Sequence, residues 1–167
     1  AVAVVADPDL DGPAGEPGGR HVYVASAVDD SVTAFARDPA AGTLTVIGAV
    51  ADGVDDCDGL DGAAGLAISP DGLHLYVAAA AGNAVAVLTR DPASGALTCV
   101  QALFQGEGVD GLAGATGVAV SPDGAHVYAV GRDSDAVVVF ARNTESGELA
   151  FVAREVPCEM CDDIPCV

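Results

Sequence analysis

The feature that most constrains this chain is an internal repeat, because one pattern occurs three times along the 167 residues. The copies cover 20–47, 73–100 and 125–152, and equivalent positions are separated by 53 and then 52 residues. Repeats of this length stack equivalent units, so the fold follows from the unit. The landmarks of the three copies are His21, Tyr23, Arg37 and Gly42; His74, Tyr76, Arg90 and Gly95; and His126, Tyr128, Arg142 and Gly147.

Each repeat predicts four short strands. The first strand ends in Ser-Pro-Asp-Gly at 69–72 and 121–124, where Pro presets φ, Asp caps the backbone and Gly supplies a positive φ. A second turn, of the Asp-Pro-Ala-Ala-Gly type, precedes the fourth strand. The β-branched content disfavours helices, and the lack of polar alternation predicts strands buried on both faces.

Four-stranded units with two apolar faces predict an all-β fold, a β-propeller of four-stranded antiparallel blades. A β-sandwich is the alternative, but it would not require so regular a repeat. Three blades in this chain make only a partial ring. We place three propeller blades in 1–156 (about 1–50, 65–103 and 117–153, with linkers) and a Cys-rich C-terminal tail at 157–167.

The first two strands of the repeat carry a family resemblance. The segments ISPDGLHLYVA (68–78) and VSPDGAHVYAV (120–130) are similar to the hallmark of the YVTN-type and lactonase-type β-propeller repeats, and the first copy holds a degenerate form. The resemblance is specific for the fold. It implies little about activity, because such repeats occur in enzymes, in surface proteins and in scaffolds.

Three blades are too few for a closed ring, which usually holds about four to eight. A three-blade wedge exposes an apolar sheet face at each end, and such patches mark interfaces. We expect self-association into a six- or nine-blade ring, or completion by a larger partner protein. The alternative is that the chain is part of a larger propeller.

The charge balance excludes other partners. The chain has 25 Asp and Glu against six Arg and no Lys, for a net charge of -19, so we expect no nucleic-acid binding. The same charge repels an anionic membrane surface, and no apolar run is long enough for membrane insertion.

The cysteines indicate export. Five cysteines in an acidic chain without Lys suit a periplasmic or extracellular protein, and an odd number leaves one thiol free or bonded to another chain. Disulfides that hold the tail are favoured over a thiol redox pair or a zinc site, since local sequence offers no fourth zinc ligand. Cys57 and Cys99 can pair with each other or with the tail, whose cysteines are Cys158, Cys161 and Cys166.

One loop has the pattern of a calcium ligand set. Asp7, Asp9 and Asp11 precede Gly12 in the D-x-D-x-D-G order that wraps Ca²⁺ in oxygen ligands. The full pattern needs an acid where Gly18 stands, so a solvated acidic loop is the preferred interpretation and Ca²⁺ the alternative. No other cofactor is expected.

The acidic linker at 52–62 offers a second set of carboxylates. They can bind a cation around an opening, but local turn formation is the preferred interpretation. The five acids are Asp52, Asp55, Asp56, Asp58 and Asp61.

No residue is assigned a catalytic role. The three His obey the repeat, which favours packing, and the three repeated Arg are expected to pair with Asp at strand ends. Arg132 and Arg154 break the repeat but define no site. The strands expected to line the channel bring only Ser69 and Ser121.

The incomplete ring, the odd cysteine and the lack of a catalytic constellation favour a non-enzymatic exported propeller. It would act as a structural or protein-binding module, or as an accessory subunit of a larger assembly. The resemblance implies the alternative, a lactonase-like hydrolase with a site in the central channel. A Ca²⁺-dependent surface adhesin, tied to the Asp7 loop, is the third hypothesis.

Overall fold

The computed structural model describes residues 2–6 and 20–156. These residues form twelve β-strands and contain no helix. The strands are β1 (Val2–Ala6), β2 (His21–Ser26), β3 (Ser31–Arg37), β4 (Leu44–Ala51), β5 (Ala63–Ile68), β6 (His74–Ala79), β7 (Ala84–Arg90), β8 (Leu97–Phe104), β9 (Ala115–Val120), β10 (His126–Gly131), β11 (Ala136–Arg142) and β12 (Leu149–Glu155).

The twelve strands form three antiparallel four-stranded sheets, ordered β1-β2-β3-β4, β5-β6-β7-β8 and β9-β10-β11-β12. We call them blade one, blade two and blade three. Every strand pairs with its neighbour in sequence, as the predicted turns require. The all-β fold and the partial propeller of three blades are thereby confirmed.

The outer hairpin of each blade has an irregularity at the same place. The register shifts at Ala34/Phe35 in blade one, at Val87/Leu88 in blade two and at Val139/Phe140 in blade three. A β-bulge increases local twist. The irregularity therefore recurs at equivalent positions of the third and fourth strands in all three repeats.

The core lies between blades. Tyr23 and Val32 of blade one pack with Leu75 and Leu88 of blade two. On the other side of blade two, side chains such as Tyr76 and Val87 pack with Val127 and Phe140 of blade three. Blade two is therefore buried on both faces, and β6 is buried along its whole length.

Blade three has the same sequence pattern but only one covered face. In β10 buried and more exposed residues alternate, and Tyr128 and Val130 are 38% and 44% exposed. The equivalent residues of blade two, Tyr76 and Ala78, are fully buried. The prediction of two buried faces thus holds in the described chain only where another blade lies on each side.

A disulfide joins Cys57, in the linker after blade one, to Cys99 on β8. This pairing is one of the two alternatives that the sequence left open. It closes a 42-residue separation, for which chain entropy predicts a stabilisation of about 4 kcal/mol. Cys158, Cys161 and Cys166 lie outside the described residues. Within those residues, no helix is long and apolar enough to cross a membrane.

Candidate functional site

The strand directions sort the connections to two ends of the wedge. The linkers 52–62 and 105–114 share one end with the turns between second and third strands, which we call the linker end. The Ser-Pro-Asp-Gly turns share the opposite end with the turns between third and fourth strands. We call it the clamp end, for the contacts described below.

At the linker end, each blade is fastened to the linker that follows it. The Gly62 N–H donates to Asp30 Oδ1 at 2.8 Å, and the Gly114 N–H donates to Asn83 Oδ1 at 2.7 Å. Asp30 and Asn83 have φ values of 48° and 51°, a region that Asp and Asn tolerate better than other side chains. Asp135 stands at the equivalent position of blade three, with φ at 46°.

The linker acids take part in turn structure. Asp52 Oδ1 accepts a hydrogen bond from the Leu60 N–H at 2.7 Å, and Asp58 Oδ1 accepts one from the Gly59 N–H at 2.8 Å. Among the residues that the structure describes, no three His, Cys, Asp or Glu side chains group closely enough to hold a metal ion. The Ca²⁺ hypothesis concerns Asp7, Asp9 and Asp11, which lie outside those residues, and it stays a prediction.

At the clamp end, Arg90 of blade two reaches across to blade one. Its Nε donates to Tyr23 Oη at 2.6 Å, its Nη2 lies 2.8 Å from His21 Nδ1, and its Nη1 donates to the Gly72 carbonyl at 2.8 Å. The Tyr23 hydroxyl in turn donates to the Gly95 carbonyl of blade two at 3.0 Å. We call this set of contacts an inter-blade clamp.

A second inter-blade clamp joins blades two and three. Arg142 Nε donates to Tyr76 Oη at 2.7 Å, Arg142 Nη2 lies 2.8 Å from His74 Nδ1, and Tyr76 donates to the Gly147 carbonyl at 2.9 Å. Arg142 Nη2 also forms an ion pair with Asp71 Oδ2 at 2.6 Å. The predicted pairing of a repeated Arg with Asp is therefore present here, and the Asp comes from the preceding blade.

The clamp sets the protonation states of its members. A guanidinium has only donors, so His74 Nδ1 must accept, which requires a neutral imidazole. Burial, and then the charge of Arg142, hold the pKa of His74 below its ordinary value of 6.5. Burial raises the pKa of Tyr76 above its ordinary value, so this hydroxyl stays protonated.

At Asp71, the carboxylate of the second inter-blade clamp, the effect of hydrogen bonds on the pKa outweighs the effect of burial. Burial tends to raise the pKa of Asp71, but hydrogen bonds from the Ser69 hydroxyl, the Leu73 N–H and Arg142 together lower it. Asp71 is therefore ionised at neutral pH beside the charged Arg142.

Ser69 and Ser121, the two serines expected in the channel, form hydrogen bonds within turns. The Ser69 hydroxyl donates to Asp71 and accepts from the His74 N–H, and Ser121 makes the same contacts in blade three. Both lie at the clamp end, beyond the last residue of β5 or β9. Neither is placed as a free nucleophile.

The inner strands offer a backbone edge instead of reactive side chains. β5 reads AAGLAI and β9 reads ATGVAV, with no acid and no base in either strand. Each lies at the edge of its sheet, and an edge strand presents unpaired N–H and C=O groups. The polar groups that β5 and β9 present at this edge are therefore those of the backbone.

The Arg residues that break the repeat lie at the linker end. Arg132 Nε donates to Asp133 Oδ1 at 2.8 Å, and Arg154 Nη1 donates to Asp110 Oδ2 at 3.0 Å. The Asp133 carboxylate packs on Gly114, which immediately precedes β9. The hydrogen bond from Arg132 lowers the pKa of Asp133, which is therefore ionised at neutral pH. Arg132 and Asp133 thus stand exposed beside the start of an inner strand.

Sequence reasoning missed the inter-blade clamps. It assigned the repeated His to packing and expected the repeated Arg to pair with Asp. It did not predict that the His and the Arg contact each other across blades. The signal was that His and Tyr recur at the same positions of β2, β6 and β10, while Arg recurs as the last residue of β3, β7 and β11 and Gly recurs in the turn that follows. A polar set repeated in every unit indicates contact between units, because each unit touches only its neighbours.

Fold and clamps together define a β-propeller built of repeated four-stranded blades. Residues 13–164 match the family model described as "Lactonase, 7-bladed beta-propeller". The chain therefore belongs to the seven-bladed lactonase propeller family.

Solved structures agree with this membership. The periplasmic gluconolactonase of Pseudomonas aeruginosa is 27% identical with a TM-score of 0.71, over 90% of this chain and 38% of its own. A protein assigned as a 6-phosphogluconolactonase from Bacteroides uniformis is 27% identical with a TM-score of 0.67, over 83% of this chain and 38% of its own. This chain thus spans less than two fifths of the length of either structure. The comparison with curated proteins found no match.

These relatives correct one expectation from the sequence. The leading hypothesis of a non-enzymatic structural or binding module is wrong, because the family and its similar structures are those of lactonases. The hypothesis failed because this chain's inner strands carry no catalytic side chain, and we took that local absence as a property of the whole site.

Proposed function

We propose that this chain supplies three blades of a lactone hydrolase that acts on a sugar lactone of the gluconolactone type. The observation that carries the proposal is the family match over residues 13–164. Its support is the 27% identity to a periplasmic gluconolactonase and to a protein assigned as a 6-phosphogluconolactonase.

Lactone hydrolysis needs two kinds of group. Water adds to the ring carbonyl, the ring C–O bond breaks, and the alkoxide takes a proton, so a base and donors to the oxyanion both lower the barrier. The unpaired edges of β5 and β9 supply backbone N–H donors along the channel. At the linker end, the ionised Asp133 can accept from sugar hydroxyls or from water, and Arg132 can bind an anionic substituent.

We assign the protein to an exported compartment. The Cys57–Cys99 disulfide supports this proposal, because disulfides persist in oxidising environments. A similar structure that is itself a periplasmic enzyme supports it as well.

The test is proton release from D-glucono-1,5-lactone and from its 6-phosphate, measured against spontaneous hydrolysis. We expect the chain to accelerate at least one of the two reactions. Asp133→Asn should lower the rate at least tenfold, because an amide cannot act as a base, whereas Glu145→Gln at the clamp end should leave it unchanged. Equal rates with and without protein, for both lactones, would overturn the proposal.

A further inference from the structure

The outer strands of blades two and three are joined by a side-chain amide. Gln101 on β8 donates from its Nε2 to the Leu149 carbonyl at 3.1 Å, and its Oε1 accepts from the Leu149 N–H at 2.8 Å. Leu149 is the first residue of β12 and is only 4% exposed. The amide of Gln101 therefore satisfies both backbone groups of a buried residue on the last strand of blade three.

Between blades one and two, the described residues include no such amide, because Gly48 stands where Gln101 stands in the next repeat. Each is the first paired residue after the β-bulge, with Gly48 opposite Ala34 and Gln101 opposite Val87. A Cβ added at Gly48 would have no described atom within 4 Å. The place that a side-chain amide takes between blades two and three is thus left open between blades one and two.

Leu97, the equivalent of Leu149, presents its backbone groups at this place. It pairs with Arg90 as Leu149 pairs with Arg142. The Arg90 N–H donates to the Leu73 carbonyl on the other side of β7. Arg90 and Leu97 therefore form a non-hydrogen-bonded pair, and the Leu97 N–H and C=O point away from β7. In the part of the chain that the structure describes, no side chain forms a hydrogen bond with either group.

Two adjacent cavities form a groove between β4 and β8. The first has a volume of about 110 Å³ and lies between Gly48 and Leu97. The second has a volume of about 330 Å³, shares Val50 and Leu97 with the first, and reaches the Cys57–Cys99 disulfide through a mostly apolar lining. β4 is the last strand of its sheet, so the groove runs beside an unpaired strand edge. Both walls belong to neighbouring blades, and the groove is complete within the described chain.

We propose that this groove binds an extended peptide segment of a partner protein, whose glutamine side chain bonds to the Leu97 N–H and C=O as Gln101 bonds to Leu149. A carboxamide donates and accepts at once, as these two groups require. Side chains two positions away point to the same side of an extended segment, so an apolar one fits the second cavity. The net charge of -19 favours a segment with Lys or Arg facing solvent. This site on the outer strands is independent of the proposed lactone hydrolysis.

The probe is the acetylated and amidated peptide Leu-Lys-Gln-Lys-Leu. The control peptide has Met in place of Gln, which keeps the length and the charge but cannot donate to the Leu97 carbonyl. Titration followed by the backbone amide resonances of the protein should shift the Leu97 resonance and approach saturation by about 1 mM peptide. The Met peptide should bind at least tenfold more weakly, because it forms neither hydrogen bond well. An unshifted Leu97 resonance, or equal affinity for the two peptides, would overturn the proposal.

Two matched variants test the site on the protein itself. Gly48→Gln supplies the amide from β4, so the side chain occupies the first cavity and should weaken binding of the glutamine peptide at least tenfold. Ala153→Gln places the same side chain at the equivalent position of β12, away from the groove, and should bind the peptide as the wild type does. Undiminished binding by Gly48→Gln, or the same loss in both variants, would contradict the assignment of the groove.

Discussion

At the scale of single residues, the clamp Tyr hydroxyls join blades that are distant in sequence. In Tyr76→Phe, the Arg142 Nε and the Gly147 carbonyl lose their partner in a buried setting, which costs about 1 to 3 kcal/mol of unfolding free energy. Tyr128→Phe is the matched control, with an expected change within about 0.5 kcal/mol in dilute solution. Denaturant unfolding measures both, and equal losses would contradict the role of the clamp.

The turn glycines of the clamps allow a second comparison. Gly147→Ala combines a positive φ of 79° with overlap on the His74 ring, so we expect a loss of roughly 3 kcal/mol. Gly42→Ala has a φ of 71° and open space, and it should cost only the backbone term of about 1 to 2 kcal/mol. Thermal unfolding of dilute samples ranks the two variants, and the reverse order would refute the ring contact.

The clamp His gives the fold a pH dependence. The pKa of His74 is lowered in the folded state, so the unfolded chain binds the proton more readily. This contribution to stability is present above pH 6.5 and is lost as the pH falls below that value. His74→Gln, which keeps an acceptor but does not titrate, should flatten the decline between pH 7 and 5. An unchanged slope in that variant would exclude His74 as its source.

At the scale of elements, the disulfide fixes the linker after blade one to the outer strand of blade two. Replacing both Cys57 and Cys99 by Ser should lower the unfolding free energy by about 2 to 4 kcal/mol, because the unfolded chain regains the freedom of a long loop. Chemical denaturation with and without reductant checks this. The reductant should lower the unfolding free energy of the wild type to that of the double variant and leave the double variant unchanged. A wild type that the reductant does not destabilise would contradict this role of the disulfide.

The repeat made the elements predictable, and single residues show where prediction stopped. Ser-Pro-Asp-Gly, with Gly72 at a φ of 70°, fixed the first hairpin of blade two from local chemistry alone. Arg90 was assigned only to a nearby Asp, because its contacts with Tyr23 and His21 depend on how two blades pack. Contacts of this kind between blades follow from the spacing between repeats and not from any one motif.

At the scale of the whole molecule, the main error from the sequence concerned function. Three blades carry only part of a family ring of seven, so the absence of a catalytic side chain on β5 and β9 says little about the complete site. Ser69 gives a second example: the sequence placed it in the channel, whereas in the structure its hydroxyl bonds to Asp71 and to the His74 N–H within a turn.

The most direct measurement is hydrolysis of gluconolactone by the purified chain. Lactone hydrolase function predicts acceleration over the spontaneous reaction, which Asp133→Asn reduces and Glu145→Gln leaves unchanged. A rate equal to the spontaneous one, for both the free and the phosphorylated lactone, would contradict it.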